Sequence, residues 1–200
     1  ALVQLEHDAS FREHGPFATQ PEFVETVVSG FAEGAPRHHH LVFKAHPLED
    51  GRIPVRAEIR RIARRHEVAD RVHFVRGGKL ARLLDGARTA VTVNSTAAQQ
   101  ALWRGLPVKA FGQAVYAKPE FVSDQPLAAF FRAPSPPDSR AYRVFRHYLL
   151  ETSQVPGSFY SARGRRKLLR EIVDLMLAPE SAYEALEGER PATTQHLRLL

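Results

Sequence analysis

Four short polar clusters each follow an apolar run, and their residue types suit the handling of an anion. They are Glu6-His7-Asp8, Lys44-Ala45-His46-Pro47, Asn94-Ser95-Thr96 and Gly112-Gln113-Ala114-Val115-Tyr116. In open parallel sheets ligands sit outside the carboxyl ends of the strands, so clusters in these positions would line one edge. His46 is the sharpest candidate. The proline after it fixes the turn and holds His46 extended, and an imidazole held there can donate a proton or a hydrogen bond to a leaving phosphate. The Asn94-Ser95-Thr96 turn opens a run of small residues that reads as a helix over 95–104. The first amides of such a helix are unpaired and its dipole is positive at that end, which makes it an anion site.

Each of these residues also has a plainer reading. His46 fits a loop histidine bonded to a neighbouring backbone carbonyl. Ser95 and Thr96 are ordinary N-cap residues, although capping consumes only one or two amides and is compatible with phosphate binding. Asp8 suits a base or a group that orients a histidine, and equally a cap for the loop before Pro16. Lys44 is a strand-end charge two residues ahead of His46. Gln113 and Tyr116 stand at the rim of the same expected edge. His38-His39-His40 invites a metal reading, but adjacent residues of an extended chain point to opposite faces, so three in a row do not form one site. Arg60, Arg61, Arg64 and Arg65 read as a solvated helix face. Arg163-Gly164-Arg165-Arg166-Lys167 places a basic cluster where a helix starts, against its dipole, which hints at an anionic partner. No glycine-rich nucleotide fingerprint, Walker loop, Gly-x-Ser-x-Gly elbow or nucleic-acid motif occurs.

The elements that would position these clusters alternate. Strand-like runs fall at 2–5, 41–44, 72–75, 90–93 and 108–111, with helical patterns at 21–31, 56–66, 79–85 and 95–104. The strands are nearly continuous apolar runs, as expected where both faces are covered. Alternation of this kind predicts an α/β fold, a parallel sheet with helices on both faces. Ala133-Pro134-Ser135-Pro136-Pro137 breaks the pattern. Two helices follow, one marked by Tyr142, Phe145 and Leu149, the other by Leu168, Leu169, Ile172, Leu175 and Met176. The expected division is a sheet domain over 1–132, a helical segment over 133–186 and a loose polar tail over 187–200.

Composition bounds the partners. The 200 residues are 44% hydrophobic and 25% charged, and the net charge of +6 favours anionic ligands or surfaces. Arginine outnumbers lysine, and arginine suits forked contacts to phosphate or carboxylate. The absence of cysteine excludes disulfides, thiolate nucleophiles and cysteine zinc sites. No apolar run reaches the roughly 20 residues of a membrane-spanning helix, and no signal peptide is visible. The opening Ala-Leu-Val-Gln-Leu reads as a strand already under way, so the chain is expected to be part of something longer.

Taken in order, Gln4-Leu5-Glu6-His7-Asp8 with His14, then 41–48 with His46-Pro47, then Val93-Asn94-Ser95-Thr96, then 105–116 resemble the capsule polysaccharide biosynthesis and export family of bacteria, the KpsS and KpsC type. The Gly-x-Pro-Val-Lys run and Ala-Val-Tyr favour the KpsS type. The resemblance implies a β-Kdo glycosyltransferase of the GT-B class, of which this chain would be the Rossmann-like, donor-binding C-terminal half. Its donor would be CMP-Kdo, and its acceptor a phosphatidylglycerol-type lipid carried by a separate, N-terminal acceptor domain. It would work in the cytoplasm, peripheral to the anionic inner-membrane surface, with no nucleic acid partner, no cofactor and no metal. By the same resemblance His46 would stabilise the departing CMP phosphate, and Ser95 and Thr96 would bind it. From their places at the expected edge, Asp8 is a second catalytic candidate, Asn94 and Lys44 are further candidates for holding the phosphate, and Gln113 and Tyr116 would edge the donor site.

Two rival readings stand beside it. A basic Rossmann-like module without catalysis would engage a protein, nucleic acid or anionic membrane through its arginines, and its binding would be salt-sensitive and indifferent to His46→Ala. A sugar-nucleotide epimerase also divides its site between two Rossmann-like halves, and would prefer UDP to CMP.

Overall fold

The computed structural model describes residues 1–49, 51, 54–157 and 161–184. The expected loose tail over 187–200 lies outside the described residues. The chain divides into two compact units, Ala1–Tyr142 and Arg143–Leu200.

The first unit is mixed α/β. Helices α1 (Ala9–His14), α2 (Gln20–Gly34), α3 (Val55–Arg65), α4 (Leu80–Asp85), α5 (Gln99–Trp103) and α6 (Leu127–Arg132) are interleaved with strands β1 (Leu41–Lys44), β2 (Val72–Val75), β3 (Ala90–Thr92) and β4 (Val108–Ala110). β1 pairs in parallel with β2, Leu41 opposite Val72, and β3 pairs in parallel with β4, Ala90 opposite Val108. Leu2 joins the two pairs through parallel bridges to both Lys44 and Thr92. Its N–H donates to Val91 O at 2.8 Å, while Val3 N–H donates to Lys44 O at 3.0 Å. The order across the sheet is therefore β2, β1, opening segment, β3, β4. The chain steps outward one way, then returns to the other side of its starting point. That reversal is the switch point of doubly wound sheets, and the arrangement is compatible with a Rossmann-like fold.

Two expectations need correction. The strand expected over 2–5 narrows to one bridged residue, Leu2, because the chain turns away at Glu6 and His7 into α1, a short helix the sequence did not announce. The helix expected over 95–104 is broken into a 3-10 turn, Thr96–Ala98, and the five-residue α5. The Ser95 hydroxyl accepts from Ala97 N–H at 3.3 Å and Ser95 O accepts from Ala98 N–H at 3.0 Å, which tightens the first turn to the i→i+3 pattern.

Helix α2 follows from its sequence. Thr19 Oγ1 accepts from Glu22 N–H, and Glu22 Oε2 accepts from Ala18 N–H at 2.9 Å, a reciprocal cap that starts the helix. Pro21 sits in its first turn, where no hydrogen bond is lost. Phe23, Val24, Val27, Val28 and Phe31 form its buried stripe and meet Phe43 of β1, Ile59 and Ile62 of α3, and Phe130 of α6 in one core. In α3 the apolar Ile59, Ile62 and Ala63 are buried while Arg60, Arg61, Arg64 and Arg65 stay exposed. Val91 and Val93 also enter the main core. Alternation along the strand then turns Thr92 and Asn94 to the opposite face, where both are buried despite being polar.

Helix α7 (Ser139–Thr152) begins in the first unit and continues into the second, which also holds α8 (Ala162–Leu177), capped by the Ser161 side chain. Among the described residues no helix is long and apolar enough to cross a membrane.

Candidate functional site

Register fixes the levels at the carboxyl edge. Leu2 stands opposite both Lys44 and Thr92, so the loops that carry His46 and Asn94 leave the sheet at the same level, on either side of the opening segment. With neighbouring strands about 4.8 Å apart, the chain at Lys44 and at Thr92 is separated by roughly 10 Å, one segment lying between. Side chains of this length can close on one anionic group from two sides of such a gap.

Gln4 ties the switch point together. Its Nε2 donates to Asn94 Oδ1 at 2.7 Å and its Oε1 accepts from Asn94 N–H at 2.9 Å. Thr92 Oγ1 lies 3.4 Å from the same oxygen and in turn accepts from Ser95 N–H at 3.2 Å. Asn94 Nδ2 donates to Ser10 O at 2.6 Å. The Gln20 amide of α2 donates to Gln4 O from behind. All the members of this network except Ser95 and Ser10 are buried, and the bonds between Gln4, Thr92 and Asn94 hold one local geometry, while Gln20 Oε1 is buried without a partner. Sequence reading gave Gln4 no role beyond its place in the family resemblance and did not single out Gln20. Gln4 did carry a signal, as the one polar residue inside the apolar opening run.

The expected site residues separate into those that hold the loops and those that face outward. Asn94 is buried and its amide is spent on Gln4 and Ser10. Tyr116 is fully buried, and its hydroxyl donates to Ser95 O at 2.6 Å. Burial holds its phenol above the usual tyrosine range. Both therefore brace the Ser95 turn from within. Ser95 is half-buried with its hydroxyl at the cap, and Thr96 is exposed beside it. His46 is half-buried, and Leu48 N–H donates to its Nδ1 at 3.2 Å. In the neutral ring that bond puts the proton on Nε2, which leaves Nε2–H as the donor. Lys44 is buried on the sheet face and its Nζ donates to Ala45 O at 3.1 Å. Asp8 is exposed and caps α1 through Ser10 N–H at 3.0 Å. Gln113 is exposed, and its N–H donates to His14 O at 2.8 Å, which draws the loop after β4 against α1. Gly112 makes that approach possible, since a Cβ there would lie 2.5 Å from His14 O and 3.2 Å from Asn94 Nδ2.

Two other places fit an anion less well. The start of α2 is already occupied by the chain's own carboxylates: Glu6 Oε2 accepts from Gln20 N–H at 2.8 Å, and Glu22 takes Ala18. A cavity of about 520 Å³ opens at the opposite, amino-terminal edge, lined by Leu41, Val42, Ala90, Val91, His39 and Arg88 among others. It extends from the amino ends of β1 and β3 as far as Leu2 and Lys44, and neither His46 nor Ser95 lines it. Its size does not outweigh its position, because ligands of such sheets bind at the carboxyl ends. Among the described residues no three histidine, aspartate or glutamate side chains converge as a metal site. His40 Nδ1 and His73 Nε2 do meet at 2.9 Å, so neighbouring strands pair these two rings rather than stacking His38, His39 and His40 into one site.

The model of the family described as "Capsule polysaccharide biosynthesis protein" matches residues 1–160. The chain belongs to this family. It is 34% identical over 160 residues to the capsule polysaccharide modification protein LipB of Neisseria meningitidis serogroup A, a match covering 80% of this chain and 38% of LipB. It is 31% identical over 160 residues to the capsule polysaccharide export protein KpsS of Escherichia coli, covering 80% of this chain and 41% of KpsS. The chain thus spans about two-fifths of the length of these relatives. No solved structure matches. The family match contains His46, the Ser95 turn and the whole Gln4 network.

Proposed function

We propose that this member of the capsule family is the donor-binding half of a GT-B glycosyltransferase. It would take Kdo from CMP-Kdo for transfer to a phosphatidylglycerol-type lipid at the inner surface of the cytoplasmic membrane. The reading is supported by the loops that carry His46 and the Ser95-Thr96 turn, which leave the sheet from paired levels on either side of the switch point, in a chain that belongs to the capsule family.

Breaking the bond between the sugar's anomeric carbon and the phosphate oxygen leaves the electron pair, and a growing negative charge, on CMP. His46 Nε2–H would donate to that oxygen, and the hydroxyls of Ser95 and Thr96 would hold the phosphate's other oxygens. Donors fixed in advance stabilise such charge without reorganisation. CMP is a good leaving group, so positioning supplies much of the remainder. The turn does this with hydroxyls rather than with a helix dipole, since α5 has only five residues and the Ala97 and Ala98 amides are spent on Ser95. Asn94 and Tyr116 act by holding the turn, and Gln113 stands at the rim. Asp8 and Lys44 have a weaker claim. Asp8 is a helix cap, and the Lys44 amine is turned to a backbone carbonyl.

Calorimetric titration of the chain with CMP tests the reading. Saturable CMP binding is expected, weaker for UMP, and weakened at least tenfold by Ser95→Ala together with Thr96→Val. Absence of CMP binding by the folded chain overturns it, and preference for uridine nucleotides would favour an epimerase. In the full-length protein His46→Ala is expected to cut turnover strongly with the fold intact.

A further inference from the structure

The helix α8 carries a surface that the transferase reading does not use and that lies beyond the family match, which ends at residue 160. Leu169, Val173 and Met176 recur at the i, i+4, i+7 spacing of one helix face. They are 61%, 50% and 79% exposed, and Leu177 beside them is 77% exposed. Leu168, on another face, is buried and packs against Gly157, so the helix is anchored on one side and open on the other. Among the described residues, most of the exposed large hydrophobic side chains lie in this unit. A contiguous apolar stripe of this kind marks an interaction surface.

The charges around the stripe say what it fits. Arg163, Arg166 and Arg170 follow the i, i+3, i+7 spacing and form a second stripe directly alongside Leu169 and Val173, all of them exposed. Lys167 extends it. The acidic Glu171 lies on the far side of the helix from the apolar stripe, and Asp174, four residues after Arg170, flanks the outer edge of the arginine stripe, where the basic residues outnumber it. Arginine stems beside an apolar stripe can rest on hydrocarbon while their heads stay at a charged boundary. A helix with an open apolar face flanked by cations lies in the plane of a lipid interface, drawn by burial of the stripe and by anionic headgroups together.

We infer that α8 is an interfacial helix that docks this chain on an anionic lipid surface through Leu169, Val173 and Met176, with Arg163, Arg166 and Arg170 on the headgroup phosphates. This deepens the membrane part of the proposed function but rests on different residues, so CMP binding survives its failure.

Co-sedimentation with phosphatidylcholine vesicles containing phosphatidylserine, against pure phosphatidylcholine, tests it. Phosphatidylserine lacks the glycerol headgroup of the proposed acceptor, which removes acceptor recognition from the result. The chain is expected to bind the anionic vesicles and not the neutral ones. Leu169→Glu with Met176→Glu is expected to lower the apparent affinity about tenfold or more, and Arg166→Ala with Arg170→Ala by about tenfold. Circular dichroism of both variants should match the parent, since the substituted residues are exposed. Failure to bind anionic vesicles overturns the inference. So does binding that survives Leu169→Glu with Met176→Glu, or tighter binding to single-stranded RNA that competes the vesicles away.

Discussion

At the scale of single residues, the division between Ser95 and its supports is the main result. Ser95 and Thr96 face outward, while Asn94, Thr92, Tyr116 and Gln4 hold the turn from behind. Gln4→Ala leaves the Asn94 backbone N–H and side-chain Oδ1 without their Gln4 partners in a buried setting, and should cost about 1–3 kcal/mol. Urea unfolding would read this as a lower midpoint at unchanged slope, and an unchanged midpoint would mean the network contributes nothing. Ser95→Ala should cost about 1 kcal/mol as a lost cap, in addition to its effect on CMP. Tyr116 gives a pH signature. Its folded-state phenol holds its proton above the usual tyrosine range because it is buried. The unfolded chain releases that proton first, so this stabilisation is present below about pH 10 and is lost as the pH rises further. Tyr116→Phe should remove that part of the alkaline decline in thermal unfolding while losing the bond to Ser95 O.

At the scale of elements, the sheet order depends on close packing behind it. A Cβ at Gly30 would meet the Leu127 side chain at 2.6 Å, and one at Gly34 would run into the Ala128 backbone. Helix α6 can therefore lie on α2 only because both positions are glycine. Gly34→Ala should destabilise the chain by about 1–3 kcal/mol through overpacking, read by thermal unfolding. Much of this level was legible in the sequence. The strands at β1 to β4 and the helices α2, α3 and α4 follow from apolar runs and periodicity, because tertiary packing reinforces local preference there. The exceptions have local causes. The opening segment was read as a full strand because apolar residues surround Gln4, whereas the chain leaves the sheet after Leu2. The run over 95–104 has helical composition, yet the Ser95 cap draws its first turn into the 3-10 form. The short α1 and α6 are set by tertiary contacts more than by pattern. At the candidate site, His46 and Ser95 were legible because proline and hydroxyl residues announce turns. The bracing roles of Asn94 and Tyr116 were not, since burial and long-range hydrogen bonds decide them.

At the scale of the whole molecule, the proposed anion-binding edge belongs to the first unit and the basic, apolar-striped helix to the second. Both suit anionic partners, in keeping with the net charge of +6, but by different chemistry: hydroxyls and an imidazole in one, arginines beside exposed leucine, valine and methionine in the other. The chain spans 38% of LipB and 41% of KpsS, so turnover is a property to measure in the full-length protein and nucleotide binding in this chain. The central claim is where the nucleotide phosphate sits. Amide chemical-shift mapping by NMR during a CMP titration tests it most directly. The account predicts saturating shifts at His46, Ser95, Thr96 and Gln113, with the backbone around His39 and Arg88 undisturbed. Shifts confined to the amino-edge cavity around His39 and Arg88, or none at all, would contradict it.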